Sequence, residues 1–306
     1  MSSGGFSVVI PLYNHEKYIE AAMESVLRQS VRPAEIIVVD DGSLDGSASV
    51  AAGVARRHPE VVVCWSQRNQ GAHQAINSGL HRATSEFVAI LNSDDAYHPR
   101  RMEICLALLK KHPEAAAVAT GLSFMNESGR SVENAWYRQA RAFYDQDGDM
   151  ALALLNGNFI MTTSNLVLRK SVFEEVGYFQ SLRYAHDLEF MLRLLTRGKE
   201  ILLHDEALLS YRIHQGNTIR EEHARVRVEW AYCCAAFLQA TALHPNLRRG
   251  GWQYWERFAA VTETHQLTSM VALFISYMNA CAARGLDPVR YQEDQEFYTC
   301  MLRMAG

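Results

Sequence analysis

The sequence lacks the composition expected of several protein classes. Its 306 residues carry a formal net charge of −4 with a pI near 6.3, so the basic excess of a general nucleic-acid-binding protein is absent. None of the six cysteines forms a C-x-x-C pair, and the adjacent Cys233 and Cys234 suit neither a disulfide nor a zinc site. We therefore expect buried free thiols and no nucleic-acid partner.

The sequence also shows no pattern typical of a targeting or membrane-spanning segment. Residues Met1 to Gly5 contain no basic stretch followed by an apolar one, so we expect no export and a location in the reducing cytoplasm. The apolar stretch from Met270 to Ala283 is interrupted by Ser276 and Asn279. It is shorter than the roughly 20 residues of a transmembrane helix, which favours an amphipathic core helix.

The segment after the first apolar run lacks both common phosphate-binding patterns. It spans Pro11 to Glu16 and reads P-L-Y-N-H-E, without the G-x-G-x-x-G turn of dinucleotide-binding proteins. The G-K-S/T ending of the NTPase phosphate loop is also missing. These absences disfavour a Rossmann oxidoreductase and a P-loop NTPase.

What the sequence does contain is an alternation of apolar runs and helical periodicity. The runs predict buried strands at Phe6–Leu12, Ile36–Val39, Val61–Trp65 and Phe87–Leu91, with a helix after each. Such alternation predicts an α/β fold with a mostly parallel sheet and helices on both faces. Ligands of these sheets bind beyond the carboxyl ends of the strands.

Three polar clusters follow predicted strands and are therefore expected near one another. They are Tyr13-Asn14-His15-Glu16, Asp40-Asp41-Gly42-Ser43 and Asn92-Ser93-Asp94-Asp95. Carboxylates of the third cluster suit a hard divalent cation, and Asp41 suits a hydrogen bond from a nucleotide base. The structural alternative for both clusters is an acidic turn that caps a helix.

The second half of the chain predicts a different organisation. Residues 121–149 are polar without clear periodicity and predict a surface excursion, and 161–169 predict a returning strand. From 218 to 306 the pattern is helical, with large aromatic residues that need a partner. We expect these aromatics to complete the core. The alternatives are a self-association surface, a shelf beside an acceptor, and membrane contact, for which the Arg248-Arg249 pair is too little basic charge to give firm attachment to anionic lipid.

An ordered set of motifs resembles the family 2 glycosyltransferases, which have the A-type nucleotide-sugar transferase fold. The resemblance extends to about residue 217. Its motifs are V-V-I-P-L-Y-N at 8–14, E-S-V-L-R-Q-S at 24–30, E-I-I-V-V-D-D-G-S at 35–43, N-Q-G-A at 69–72 and L-N-S-D-D-A-Y-H-P at 91–99. Together they are far more specific than any one motif alone.

The resemblance implies an inverting enzyme that transfers a monosaccharide from a nucleotide sugar, with a lean toward UDP, to a hydroxyl of a glycan or lipid-linked glycan. It implies a divalent cation, Mn or Mg, held by Asp94 and His214, and Asp187 as the catalytic base. The implied nucleotide-sugar-binding residues are Pro11, Tyr13, Asn14, Glu16, Asp41, Gly71, Asn77, Asn92 and Ser93.

Two positions depart from the family pattern. Asn92 stands where the family usually has an acid, and His186 replaces an acid before Asp187, which leaves a donor or a cation beside the base. Asp187 could instead cap the following helix, and His214 could hydrogen-bond to backbone. The alternative functions are a noncatalytic nucleotide-sugar-binding protein and an enzyme that makes nucleotide sugars. The second is disfavoured because the loop after the first strand has neither glycine nor arginine.

The expected organisation is a catalytic domain at 1–217 followed by a helical C-terminal region at 218–306. The expected partners are the donor and a glycan or lipid-linked acceptor. Peripheral contact with the inner face of the membrane and a homodimer are further hypotheses.

Overall fold

The computed structural model describes residues 5–217, 222–243 and 251–306. The pair Arg248-Arg249 and the first residues of the C-terminal region, 218–221, lie outside the described residues. The chain forms two compact units that interleave along the sequence. The sheet unit comprises Met1–Glu133, Ile160–Phe179 and Lys199–His214, and the helical unit comprises Asn134–Phe159, Gln180–Gly198 and Gln215–Gly306. A domain boundary at 217 stays a prediction.

The sheet unit contains nine strands and five helices among the described residues. The strands are β1 Phe6–Leu12, β2 Glu35–Asp40, β3 Val62–Ser66, β4 Phe87–Ile90, β5 Ala96–Tyr97, β6 Ala115–Asn126, β7 Ser131–Val132, β8 Val167–Arg169 and β9 Glu200–Ile213. The helices are α1 Ile19–Leu27, α2 Ser47–Arg57, α3 Ala72–Arg82, α4 Arg101–Lys111 and α7 Val172–Val176. This α/β architecture confirms the predicted fold class.

The strands form one mixed sheet in the order β3-β2-β1-β4-β8-β6-β9-β5, with β7 paired to β6. The long ladders are parallel: β1 with β2 and β4, β2 with β3, and β6 with β9. The antiparallel ladders, β4–β8, β6–β8, β5–β9 and β6–β7, are short. Because β2, β1 and β4 are parallel neighbours, their carboxyl ends lie at the same edge of the sheet.

Local sequence explains the parallel half of this sheet. All seven residues of β1 are buried, as expected for a strand covered on both faces. Helix α3 approaches β1 closely at Gly79, where an added Cβ would lie 2.3 Å from Cγ1 of Val9. Since Val9 is a buried β-branched residue, only glycine fits there.

The polar excursion predicted for 121–149 is wrong in part. Strand β6 continues to Asn126, and the segment also contains β7 and the whole of a helix at Ala135–Asp147. Strands β6 and β9 escaped prediction because β6 begins with an alanine-rich stretch, which favours helix, and β9 carries a charged centre. Of the strand predicted at 161–169, only Val167–Arg169 pairs as a strand, and Thr163–Asn165 form a 3₁₀ turn.

The helical unit contains helices from both halves of the chain. They are α5 Ala135–Asp147, α6 Met150–Asn156, α8 His186–Thr196, α9 His223–Leu243, α10 Gly251–Thr264, α11 Thr268–Arg284 and α12 Gln295–Ala305, with a 3₁₀ turn at Pro288–Glu293. From residue 222 on, the described residues are helical or irregular, as predicted.

Aromatic side chains build the core of the helical unit. The Tyr232 ring lies 5.6 Å from that of Phe274, and the Phe237 ring lies 6.3 Å from that of Phe258. All four side chains are buried. Trp252, in contrast, is 85% exposed. Burial of the first four agrees with a role in core packing, whereas a self-association or acceptor surface stays a prediction.

All six cysteines are free thiols, but the expectation that all are buried is wrong. Cys64 and Cys300 are exposed, because the first lies on the edge strand β3 and the second on α12, whereas the other four are buried. Within the described ranges, no single helix has the length and apolarity of a membrane span. Only the consecutive helices α10 and α11 reach that composition jointly, and they are bent by 112°.

Candidate active site

The polar clusters after β1, β2 and β4 are joined by hydrogen bonds at one edge of the sheet unit. The Asn14 N–H donates to Oγ of Ser43 at 3.0 Å, and the Leu44 N–H donates to Oδ1 of Asn14 at 2.8 Å. Between the first and third clusters, Nδ1 of His15 lies 2.8 Å from Oγ of Ser93. The topology therefore brings the three clusters together, as the sequence predicted.

The predicted nucleoside residues occupy different environments within this edge. Pro11 lies buried inside β1, whereas Tyr13, directly after the strand, is 43% exposed. Asn14 adopts a positive φ of 52°, which asparagine tolerates better than most residues. Glu16 accepts a hydrogen bond from the Gly46 N–H at 3.2 Å. Tyr13 is the aromatic side chain of this set that a base could contact.

Asp41 organises the loop that leads into α3. Its carboxylate accepts hydrogen bonds from Nε2 of Gln67 at 2.8 Å and from the N–H groups of Gln70 and Gly71, the last at 2.8 Å. The side chain is only 2% exposed. Because these donors use most of its lone pairs, the structure gives Asp41 a loop-holding role, and its predicted base contact stays a prediction.

Asn77 also makes its hydrogen bonds within the protein. Its Nδ2 donates to the Phe179 carbonyl at 2.8 Å, and its Oδ1 accepts from the Phe179 N–H at 3.1 Å. This two-bond pairing ties α3 to the segment after α7. Its predicted position beside the ribose and diphosphate stays a prediction.

Asp94 meets two histidines in a cluster that could hold a metal ion. Its Oδ2 lies 2.9 Å from Nε2 of His214, and one ligand atom each of His15, Asp94 and His214 lies within 4.8 Å of the others. The His15 and His214 rings stand edge to face at 5.6 Å, and Tyr18 packs against both. His214 thus hydrogen-bonds a carboxylate rather than backbone alone.

The pKa values of the adjacent residues Asp94 and Asp95 are shifted in opposite directions. Burial alone would raise the pKa of Asp94, but the hydrogen bond with His214 and the nearby His15 outweigh it and lower the pKa. Burial and the neighbouring Asp94 charge raise the pKa of Asp95 well above its usual value. Burial lowers the pKa of His15, which favours the neutral imidazole that metals bind.

Asp95 and Arg212 hold the end of β9 against the turn after β4. The Arg212 N–H donates to Oδ1 of Asp95 at 2.9 Å, and its Nε donates to the Asp94 carbonyl at 2.8 Å. Oδ2 of Asp95 accepts a 2.7 Å hydrogen bond from Oγ of Ser164. This network places His214, two residues after Arg212, beside Asp94.

Asn92 forms its hydrogen bonds with the short polar segment Thr162–Ser164. Its Nδ2 donates to Oγ1 of Thr162 at 2.9 Å, and its Oδ1 accepts from Oγ1 of Thr163 at 3.2 Å. Its N–H donates to Oγ of Ser164. The amide therefore uses both ends of its side chain to fix the turn.

Asp187 lies in the helical unit, in the first turn of α8. Ala185 is the residue at the N-terminal boundary of this helix, so Asp187 is not its cap. Its Oδ2 accepts from Nδ2 of Asn158 at 3.0 Å, and its Oδ1 accepts from the Leu188 N–H at 2.7 Å. The side chain is 6% exposed, and burial raises its pKa to about 6.

Of the two alternatives that the sequence left open for His186, a neutral donor or a cation, burial favours the neutral imidazole. Burial lowers its pKa to about 4, against the opposing effect of the Leu182 and Arg183 carbonyls. The imidazole therefore carries no charge at neutral pH. It does not stabilise the Asp187 carboxylate as a cation would.

Glu229 of α9 holds the segment that leads into α8. Its buried carboxylate accepts from the N–H groups of Arg183 at 2.8 Å, Tyr184 at 2.6 Å and Ala185 at 2.8 Å. Burial raises its pKa, although these three hydrogen bonds oppose the shift. A C-terminal helix thus fixes the backbone immediately before Asp187.

The profile of the family described as Glycosyl transferase family 2 matches residues 7–177, more than half of the chain. The chain belongs to this family. Among its relatives, an uncharacterised glycosyltransferase of Rickettsia typhi is 27% identical over 270 residues, 88% of this chain and 79% of the relative. The amylovoran biosynthesis glycosyltransferase AmsE of Erwinia amylovora is 28% identical over 247 residues, 77% and 90% of the two chains.

Solved structures of S. aureus TarS share the fold. The crystal structure of TarS 1–349 in complex with UDP-GlcNAc has a TM-score of 0.58 and 18% identity, covering 96% of this chain and 91% of that chain. Its complex with UDP has a TM-score of 0.54 at 19% identity with the same coverage. As a family 2 member, the protein is an inverting glycosyltransferase that takes its sugar from a nucleotide sugar.

The sequence analysis did not identify three residues that contact the candidate site residues of this family 2 enzyme: His15, Asn158 and Glu229. His15 lay inside the highlighted cluster after β1, but its distance along the chain from Asp94 offers no ligand spacing. Asn158 and Glu229 come from helices or loops far from Asp187 in sequence. No local pattern could have identified them.

Proposed function

We propose that this enzyme transfers a monosaccharide from a UDP-sugar to a hydroxyl of a glycan or lipid-linked glycan by single displacement, with Asp187 as the base. The observation that carries the proposal is the buried Asp187 carboxylate, whose pKa burial raises to about 6. A base with a pKa near neutrality is ionised at pH 7 and still basic enough to accept the proton of a hydroxyl under attack.

The contacts of Asp187 support this role. Asn158 donates one hydrogen bond to the carboxylate, which fixes its orientation. Glu229 accepts hydrogen bonds from the backbone of Arg183–Ala185, so the segment that precedes Asp187 is also held in place. A base held in one orientation is what a displacement needs, since attack must come from the face opposite the leaving diphosphate. Inversion at the anomeric carbon follows.

The donor side of the proposal rests on the strand-end clusters of the sheet unit. The exposed Tyr13, the Asn14 turn and the loop held by Asp41 are the groups we assign to the nucleotide. The UDP-GlcNAc and UDP complexes of TarS support a uridine nucleotide, because that protein shares this fold. The donor sugar itself is left open.

The residues at Asp94 fit a divalent cation such as Mn or Mg. Asp94 and His214 offer a carboxylate and an imidazole at 2.9 Å from each other, and both side chains are buried. A bound cation would supply electrophilic stabilisation of the charge that develops on the leaving diphosphate. Arg212 and Asp95 keep both ligands in place.

The acceptor class is proposed from the relatives. AmsE is named for amylovoran biosynthesis, which supports a carbohydrate acceptor here. Free thiols agree with a reducing cytoplasm, and a lipid-linked acceptor would bring the enzyme to the inner face of the membrane. A homodimer is a separate prediction, tested by sedimentation of the full chain.

A donor screen with the full-length protein tests the proposal. UDP-, GDP- and dTDP-sugars are supplied with Mn or Mg, and both binding and nucleotide release are measured with and without carbohydrate acceptors. We expect binding and release for UDP-sugars, with release stimulated by an acceptor. Preferred turnover of GDP- or dTDP-sugars would overturn the assignment of uridine.

The base is tested separately with Asp187→Asn. We expect donor affinity within about threefold of wild type and transfer reduced by about 100-fold or more, as for the loss of a general base. Asp145→Asn on the exposed side of α5 is the matched control, because this carboxylate only pairs with Arg141 on the same helix. Near-normal transfer by Asp187→Asn would eliminate Asp187 as the base.

A further inference from the structure

His15 lies beside Asp94 and His214 but is not one of the metal ligands proposed above. One ring nitrogen of His15, one carboxylate oxygen of Asp94 and one ring nitrogen of His214 all lie within 4.8 Å of one another. The three residues come from separate parts of the sheet unit: the turn after β1, the turn after β4 and the residue after β9. Only the folded sheet unit assembles them.

Neighbouring contacts hold both imidazoles in place. Ser93 lies 2.8 Å from Nδ1 of His15, the type of outer contact that orients a metal-binding histidine. Tyr18 packs 5.8 Å from the His15 ring and 5.2 Å from the His214 ring. The Arg212 guanidinium covers Tyr18 at 4.8 Å. Oriented rings reduce the entropy lost when an ion binds.

The position of Asn92 explains why a further ligand would be needed. Asn92 is an amide and therefore offers no carboxylate to an ion at Asp94, and both ends of that amide are hydrogen-bonded to Thr162 and Thr163. One carboxylate and one imidazole form a weak protein site. A second imidazole restores a third protein ligand.

We propose that His15 is this third ligand, so that His15, Asp94 and His214 bind one divalent transition-metal ion before the nucleotide arrives. The inference rests on the proposed function only in taking the ion to serve sugar transfer. At a site with nitrogen ligands the affinity of first-row divalent ions rises from Mn to Co, whereas Mg prefers oxygen ligands and retains its water. The site therefore selects a transition metal of this class over Mg.

Metal binding is measured on the metal-free, full-length protein without nucleotide. Mn(II) binding is followed by the electron paramagnetic resonance signal of the free ion, and Co(II) binding by its visible absorption. We expect one ion per chain and at least tenfold weaker competition by Mg than by Co. His15→Ala should weaken Mn affinity by tenfold or more, while its far-ultraviolet circular dichroism stays that of the wild type.

Two variants keep the test decisive. His112→Ala is the matched control, because His112 also pairs with a carboxylate, Glu114, at 3.2 Å but lies on the surface. It should bind Mn as the wild type does. If His15→Ala fails to fold, His15→Asn keeps a polar group beside Ser93 and should show the same loss of affinity.

Several outcomes would overturn the proposal. They are no Mn or Co binding without nucleotide, equal affinities for Mg and Co, or unchanged affinity in both His15 variants. In the first case the cluster is a hydrogen-bonded structural group only. Sugar transfer by the wild type is assayed in parallel. If transfer is normal but any of these three outcomes is found, the role of His15 as a metal ligand is refuted and the proposed function is not. Metal binding without any sugar transfer would refute the proposed function alone.

Discussion

Asp187→Asn should separate stability from activity. In the fold, burial raises the pKa of Asp187 from 3.8 to about 6. A shift of about two units means that the ionised carboxylate costs the folded state about 3 kcal/mol at neutral pH, at about 1.4 kcal/mol per unit. The neutral amide of Asn avoids this cost.

The substitution also removes a hydrogen bond. Asn158 and the Leu188 N–H both donate to the carboxylate, whereas an amide offers one acceptor oxygen. The lost bond costs about 1 kcal/mol. We therefore expect Asp187→Asn to raise the free energy of unfolding by about 1–2 kcal/mol at pH 8, even though transfer falls by about 100-fold or more.

The pH dependence follows from the sign of the shift. Because the folded pKa is above the unfolded one, the contribution of Asp187 to stability is fully present below about pH 4 and is lost as pH rises through about 6. The stability difference between variant and wild type should therefore grow from pH 4 to pH 7 and then stay constant. The transfer rate of the wild type should fall about tenfold per unit below pH 6.

Urea unfolding from pH 4 to pH 8, followed by circular dichroism, measures this difference. Asp145→Asn serves as the control, since an exposed ion pair contributes about 0–1 kcal/mol and its loss should leave transfer intact. A variant less stable than wild type at every pH would refute the argument from burial. So would a stability difference that does not change with pH.

Three further perturbations probe the other parts of the structure. Asp94→Ala should abolish turnover and the metal dependence of donor binding, whereas equal donor affinity of the wild type with and without chelator would contradict the metal assignment. Glu229→Gln should lower kcat more than donor affinity, because the single amide oxygen cannot accept from all three N–H groups of Arg183–Ala185. An unchanged kcat would exclude a positioning role. Gly79→Ala should destabilise the fold by about 1–3 kcal/mol, because its Cβ would meet Val9 at 2.3 Å, and an unaltered urea midpoint would show that the helix can shift.

Local sequence was sufficient for the parallel half of the sheet and for the meeting of the polar clusters that follow its strands. The strands at Phe6–Leu12 and Glu35–Asp40 are built on nearly continuous apolar runs, as expected for strands that are buried on both faces. Their carboxyl ends share one edge in any parallel arrangement, so the clusters after them had to meet. The joining of Asn14 to Ser43 follows from this rule.

The other half of the sheet depended on contacts that local sequence does not encode. Strand β6 begins with alanines, whose own preference is helical, and it is extended because β9 pairs with it in parallel along most of its length. At the register shift, Gly121 admits a backbone so close that a Cβ would lie 2.4 Å from the Asp205 carbonyl. Pairing between distant segments overrode propensity here.

The candidate site residues also divide into those that the sequence identified and those that required the tertiary structure. Sequence alone identified Asp94, His214 and Asp187 as candidates, because their motifs are local and ordered. Tertiary structure alone added His15 to the first two, since a ligand set is a matter of distance in space. It also decided the pKa of Asp187, which depends on burial by surrounding segments rather than on its neighbours in the chain.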